Sequence, residues 1–241
     1  MKKTLLIAAA ALAAGIISTE ASSVYSQNIV GYVNTTLAGS GKFTAICNPL
    51  QGTTNAADQI LTSLQSGDAL YIWDTAGNQY HSYTFIATDA GGAGLSFIDD
   101  SSSFVSAPLI NPGQGFFYAT GSGNQETNTF SGNVVLSNSV PLAGSGAFSA
   151  IGSTPPVAGS VTSTNINLPF QAGDAVYIWD NSGNQYHSYT FIATDAGGAG
   201  LSFIDDSSTF VTAPLLSVGQ GFFYATGSGS AETWTQNVVL P

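Results

Sequence analysis

The stretch "GNQYHSYTFIATDAGGAGLSFIDDSS" runs from Gly77 to Ser102 and returns without a substitution from Gly183 to Ser208. Its flanks repeat with drift. "SGDALYIWDTAGNQY" (Ser66–Tyr80) matches "AGDAVYIWDNSGNQY" (Ala172–Tyr186), and "GQGFFYATGSG" begins at both Gly113 and Gly219. Upstream, "LAGSGKFTAI" (Leu37–Ile46) matches "LAGSGAFSAI" (Leu142–Ile151), so the offset is 106 residues in the later segments and 105 in this one. A period that long suits one small domain per copy rather than a solenoid repeat.

Within a copy, short runs of β-branched and aromatic residues are cut by Gly, Asn, Asp and Ser, the pattern of strands joined by turns. Strands are expected over 28–34, 43–47, 69–73, 79–87, 95–98, 104–108, 115–119 and 127–136, and again in the second copy. "WDTAGNQY" and "WDNSGNQY" read as hairpins in which Asp caps the turn and Gly77 or Gly183 supplies a positive φ. Along Gln79–Phe85, Tyr80, Ser82 and Thr84 share one face, and Gln79, His81, Tyr83 and Phe85 the other. Neither face is cleanly apolar, which suits a strand covered on both sides. Asn55–Leu64 reads as a short helix with Thr54 or Asn55 as its cap and an apolar stripe of Ile60, Leu61 and Leu64. The second copy has "VTSTNINLPF" there, whose β-branched residues and Pro169 oppose a helix. The fold expected is all-β: two tandem homologous β-sandwich or barrel-like domains, with one short helix in the first.

Residues 1–21 read as a secretory signal: Lys2 and Lys3, an apolar run from Leu5 to Ile17, then small residues up to Ala21. The expected division is a signal peptide over 1–21, a first β repeat over 22–130 and a second over 131–241. No later stretch is apolar and long enough for a transmembrane helix, and no Cys sits at the cleavage site to carry a lipid. The expected location is therefore periplasmic, extracellular or on the cell surface. The chain has no Arg, three Lys and a formal net charge of −11. Beyond the signal only Lys42 is cationic. Nucleic acid is excluded as a partner, because phosphate binding needs clustered cations, and ion pairs cannot hold such a chain together. Cys47 is the sole cysteine and its counterpart is Gly152. It reads as a small buried strand residue.

A smaller element occurs three times: "YSQNIV" at Tyr25, "FSGNVV" at Phe130 and "WTQNVV" at Trp234. It suits a strand needed at the entrance and the exit of each domain. Left unpaired at the outer ends, the same strands would let molecules associate through their edges.

"NIVGYVN", "AICNPL", "ALYIWD" and "NPGQGFFY" resemble the units of a loosely defined family of bacterial secreted β-repeat proteins, over nearly the whole mature chain in two units. The resemblance implies export and a repeated β module, and no activity. The second copy departs from it, with "GSTPP" for "CNPL" and "SVGQGFF" for "NPGQGFF".

Candidate chemistry is sparse. Asp99–Asp100 and Asp205–Asp206 are adjacent, so on a strand their side chains diverge and cannot face each other as an acid–base pair. With the "TDAGGAG" run they suggest calcium, held by Asp89, Asp99 and Asp100 and by Asp195, Asp205 and Asp206. No G-x-S-x-G elbow accompanies His81 or His187. Trp73 and Trp179, with Tyr80, His81, Tyr186 and His187, form the stronger candidate: aromatic faces beside Asp and Asn are how β modules hold sugars. The function expected is a secreted or cell-surface structural or adhesive protein without catalysis. The alternative is a bivalent carbohydrate-binding protein whose aromatic platforms take an extracellular glycan.

Overall fold

Leu70, Tyr71, Ile72 and Trp73 alternate along one strand, and each side of it finds an apolar layer. In the computed structural model, residues 29–88, 94–144, 146–194, 200–227 and 229–237 are described. The first copy consists of β1 (Val30–Leu37), β2 (Phe43–Cys47), α1 (Ala57–Ile60), β3 (Ala69–Asp74), β4 (Gln79–Phe85), β5 (Phe97–Asp99), β6 (Phe104–Val105), β7 (Gly115–Ala119) and β8 (Glu126–Asn133). The second consists of β9 (Ser137–Leu142), β10 (Phe148–Gly152), β11 (Gly159–Ser160), β12 (Ala175–Asp180), β13 (Gln185–Phe191), β14 (Phe203–Asp205), β15 (Phe210–Val211), β16 (Leu215–Leu216), β17 (Gly221–Ala225) and β18 (Glu232–Asn237). Each copy builds a six-stranded antiparallel sheet in the same order, β2-β7-β3-β4-β5-β6 and β10-β17-β12-β13-β14-β15. Each adds a two-stranded ribbon, β1 with β8 and β9 with β18. The fold is all-β and duplicated.

One face of each sheet packs on its own ribbon. Leu70, Phe116 and Tyr118 meet Val33, Leu37 and Phe130, with Leu50, Ile60, Leu61 and Ile110 closing the layer. In the second copy Val176, Phe222 and Tyr224 meet Leu142 and Trp234, closed by Val161, Ile166 and Leu168. Two acids that the sequence does not single out, Asp68 and Asp174, are wholly buried beside these cores. Asp68 accepts the Tyr118 hydroxyl and the backbone N–H groups of Gln65 and Gly121. Asp174 repeats this with Tyr224, Gln171 and Gly227. Three donors each replace the water that burial removes.

The other face of each sheet packs on the other copy. The "GQG" turns set this contact. Cys47 N–H donates to Gly219 O and Gly152 N–H to Gly113 O, both at 2.9 Å, so the turn of one copy caps the edge strand of the other. Gly113 and Gly219 take φ +80° and +73° there. A Cβ on Gly115 or Gly221 would lie 2.8 or 2.4 Å from the backbone of Ile151 or Ile46. Cys47 lies against its own counterpart, where a Cβ on Gly152 would come within 2.3 Å of it. There is room for one side chain at this crossing, which explains why Cys and Gly occupy equivalent positions.

Several local expectations need correction. The helix is a single turn, Ala57–Ile60, with Ala56 at its N-cap and no side-chain cap. Asn55 is instead buried in a left-handed conformation (φ +54°) with its Oδ1 taken by Gly52 N–H. In the hairpins the positive φ falls on Asn78 and Asn184, at +51° each. Gly77 is needed because a Cβ there would sit 2.5 Å from Asp74 Oδ2. β8 spans Glu126–Asn133, with residue 130 inside it, and β9 begins at Ser137. The three-fold motif also misaligns the ribbons. Asn128 faces Thr35 and Trp234 faces Val140, so Asn128 and Trp234 are the equivalents. Both donate to a carbonyl 68 residues earlier, Ile60 O and Ile166 O.

Gly152→Ala is expected to destabilise the protein by about 2 kcal/mol through overpacking against Cys47. Adding Cys47→Gly should recover part of that loss, giving a coupling of about 1 kcal/mol or more in a urea-unfolding double-mutant cycle. Purely additive losses would contradict the packing.

Candidate functional site

Trp73 and Trp179 end β3 and β12 on the seam between the copies. Alternation puts Tyr71 and Trp73 on the face opposite Leu70 and Ile72, and the same holds for Tyr177 and Trp179. The Trp73 indole N–H donates to Phe148 O at 2.7 Å, and the Trp179 N–H to Phe43 O at 2.9 Å. Each bond crosses from one copy to the other. Trp73 meets Phe223 edge-to-face at 5.1 Å, and Trp179 meets Phe117 at 4.9 Å. At the centre Tyr80 and Tyr186 touch hydroxyl to hydroxyl at 3.1 Å. Burial pushes the Tyr80 phenol up to about 12. Tyr186 is raised too, first by burial and then by its bond to Tyr80.

The seam leaves two pairs of concavities, one member of each pair beside each Trp. Trp73 walls a cleft of about 420 Å³ together with Thr75 and Asn111–Gln114 of its own copy and Asn138–Pro141 and Ser149–Ile151 of the other. Trp179 walls the equivalent cleft of about 350 Å³ with Asn181, Ser217, Val218 and Gln220, completed by Asn34–Thr36 and Thr44–Ile46. Both clefts are composite: neither copy forms one alone. Their linings combine an indole with amides and hydroxyls and hold no Asp, Glu, Lys or His. The other pair are grooves of about 220 and 240 Å³, each walled by six aromatic side chains that include Tyr80 and Tyr186.

The remaining expected site residues lie elsewhere. His81 and His187 sit on the opposite face of β4 and β13 from Tyr80 and Tyr186. His81 Nδ1 is 2.8 Å from Asp100 Oδ2, with Asp74 Oδ2 at 3.8 Å from Nε2. His187 repeats this with Asp206 at 2.8 Å and Asp180 at 4.0 Å. The structure therefore separates the two histidines from the Trp–Tyr group. Asp99 Oδ1 accepts Ser101 and Ser103 N–H, and Asp205 Oδ1 accepts Ser207 and Thr209 N–H. The Ser101 hydroxyl, which also donates to Asp99 Oδ1 at 2.7 Å, and after it the Ser103 N–H hold the Asp99 carboxyl below its ordinary range. Adjacent acids do diverge: Asp99 closes a turn while Asp100 faces His81. Asp89 and Asp195 lie outside the described residues. Among the described residues no three His, Cys, Asp or Glu side chains come together as metal ligands. Cys47 is wholly buried, which pushes its thiol up to about 12. The composite clefts, completed by residues 34–36 and 138–141, had no signal in either copy read by itself.

No protein-family model matches the chain, and comparison with curated proteins and with solved structures found no match.

Trp73→Phe keeps a ring on the seam but leaves the Phe148 carbonyl without its donor, so a loss of about 1–2 kcal/mol is expected in urea melts. The phenols give a pH signature. Tyr80, Tyr118, Tyr186 and Tyr224 ionise less readily folded than unfolded. The unfolded chain therefore releases these protons first, and stability is unaffected below about pH 10 and falls as pH rises beyond it. Tyrosinate absorbance should lag the ordinary phenol curve until the protein unfolds. A full ten-tyrosine titration near pH 10 in the folded state would contradict this.

Proposed function

We propose that this is an exported, non-catalytic adhesive protein that binds neutral glycans in its two Trp-walled clefts. The composite cleft is the observation that carries the reading. An indole offers a flat apolar face to a sugar ring, and amides and hydroxyls around it can pair with ring hydroxyls. No charged side chain lines either cleft, which favours an uncharged ligand and gives no acid–base pair to act on it. Two equivalent clefts on one rigid seam would add avidity on a polymer or a cell surface. The signal-like start of the chain and its resemblance to secreted β-repeat proteins favour an extracellular or surface setting. Compared with a purely structural role, glycan binding accounts for why the Trp residues stay partly exposed instead of sealing the seam.

The test is a neutral-glycan array with the purified protein. Binding is expected, and Thr75→Ala with Asn181→Ala, two exposed rim changes, should weaken it about tenfold with the melting temperature unchanged. Trp73→Ala with Trp179→Ala should abolish it. A folded protein that binds no neutral glycan would refute the reading.

A further inference from the structure

The two aromatic grooves on the seam have no part in the glycan reading. The first is walled by Trp73, Tyr80, Phe148, Tyr177, Tyr186 and Phe223, and no amide, carboxylate or ammonium lines it. Three of its polar atoms are already paired: the Trp73 N–H donates to Phe148 O, and the Tyr80 and Tyr186 hydroxyls meet each other. A sugar entering this groove would leave its hydroxyls without partners, which is costly. Yet the rings do not close on one another. They leave a groove of about 220 Å³ that is open to solvent, and Trp73, Phe148 and Tyr177 are only partly buried.

The walls form a box. Trp73, Phe148 and Phe223 stand mutually near right angles, at 82°, 84° and 82°. Three planes so arranged cannot all turn their edges to a guest. The face of an aromatic ring is its negative side and draws a cation. A quaternary ammonium suits such walls, because it has no N–H to lose a hydrogen bond and spreads its charge over methyl groups. The rest of the chain favours the same sign of guest. Its formal net charge is −11, and such a field concentrates cations at the surface.

The second groove repeats the box with Phe43, Tyr71, Phe117 and Trp179 but differs in one neighbour. Lys42 precedes Phe43 and donates to Ser182 O at 3.3 Å, in the turn that follows Trp179. The equivalent of Lys42 is Ala147. The only Lys or Arg among the described residues therefore stands beside the second groove and opposes a cation there.

We infer that the groove walled by Trp73 and Phe148 is a site for a small quaternary ammonium of the choline type, and that its twin holds the same cation more weakly. A phosphocholine group fits less well, since no cationic side chain lines the first groove to meet its phosphate. The inference does not rest on the glycan reading: it uses the grooves rather than the clefts, and only the two Trp residues wall both.

Isothermal titration of the purified protein tests it, with choline, phosphocholine and the uncharged alcohol in which carbon replaces the choline nitrogen. Choline should bind at one tighter and one weaker site, the tighter preferring it about tenfold over either analogue. Tyr177→Leu, which keeps apolar bulk and removes a ring, should weaken the tighter site about tenfold, whereas Tyr177→Phe and Tyr71→Leu should spare it. Lys42→Ala should strengthen the weaker site and bring the two affinities together. If either analogue binds as well as choline, or Tyr71→Leu rather than Tyr177→Leu weakens the tighter site, the inference is overturned. An unchanged weaker site in Lys42→Ala would overturn the ranking of the grooves. A folded protein that binds no choline would overturn the site itself, and the glycan reading would stand.

Discussion

Two indole N–H bonds across the seam, Trp73 to Phe148 O and Trp179 to Phe43 O, fix how the copies meet. Each acceptor is the first residue of the other copy's edge strand, so one bond sets both position and angle. With only three basic residues in the chain, ion pairs could not do this work. The aromatic contacts that surround the bonds contribute roughly 0.5–1.5 kcal/mol each beyond the area they bury. Together with the "GQG" turns they convert two half-covered sheets into one body.

A contact between equivalent faces imposes symmetry on the sequence, because each seam residue meets the same patch on the other copy. Phe43, Tyr71, Trp73, Tyr80 and Phe117 all return unchanged as Phe148, Tyr177, Trp179, Tyr186 and Phe223. Where a residue meets its own counterpart, symmetry must either be self-complementary or break. Tyr80 and Tyr186 can share a hydrogen bond. Cys47 and Gly152 cannot both carry a side chain. The identity of the full Gly77–Ser102 stretch reaches beyond the seam, into β5 and its turn, and the packing does not account for that part.

Much of the fold was legible. The repeat, the strands and the two covered faces of β4 follow from alternation and turn residues. What covered the second face was not legible, since an aromatic face reads alike whether it meets a ligand or a partner sheet. Trp73 does both jobs, hydrogen-bonding the other copy while walling a cleft. The short helix is present but only one turn long and uncapped by a side chain, because Asn55 spends its side chain on Gly52. The turn failed because Asn78, which tolerates a left-handed backbone, took the role given to Gly77. Asp68 and Asp174 were passed over since a lone Asp after Gly looks like any turn residue until burial and three donors are seen. His81 and His187 stood next to Tyr80 and Tyr186 in sequence, but one step along a strand turns a side chain to the opposite face.

The seam also explains why the clefts exist only in the duplicated chain, since each needs a Trp and turn from one copy and two strands from the other. The most direct test is hydrogen exchange at the three indole N–H groups, followed by NMR. Trp73, Trp179 and Trp234 should all be protected, and Phe43→Ala in the first copy should speed exchange at Trp179 in the second while leaving Trp234 unchanged. A Trp179 indole that exchanges as freely as in a peptide, and ignores the change at Phe43, would contradict the face-to-face seam.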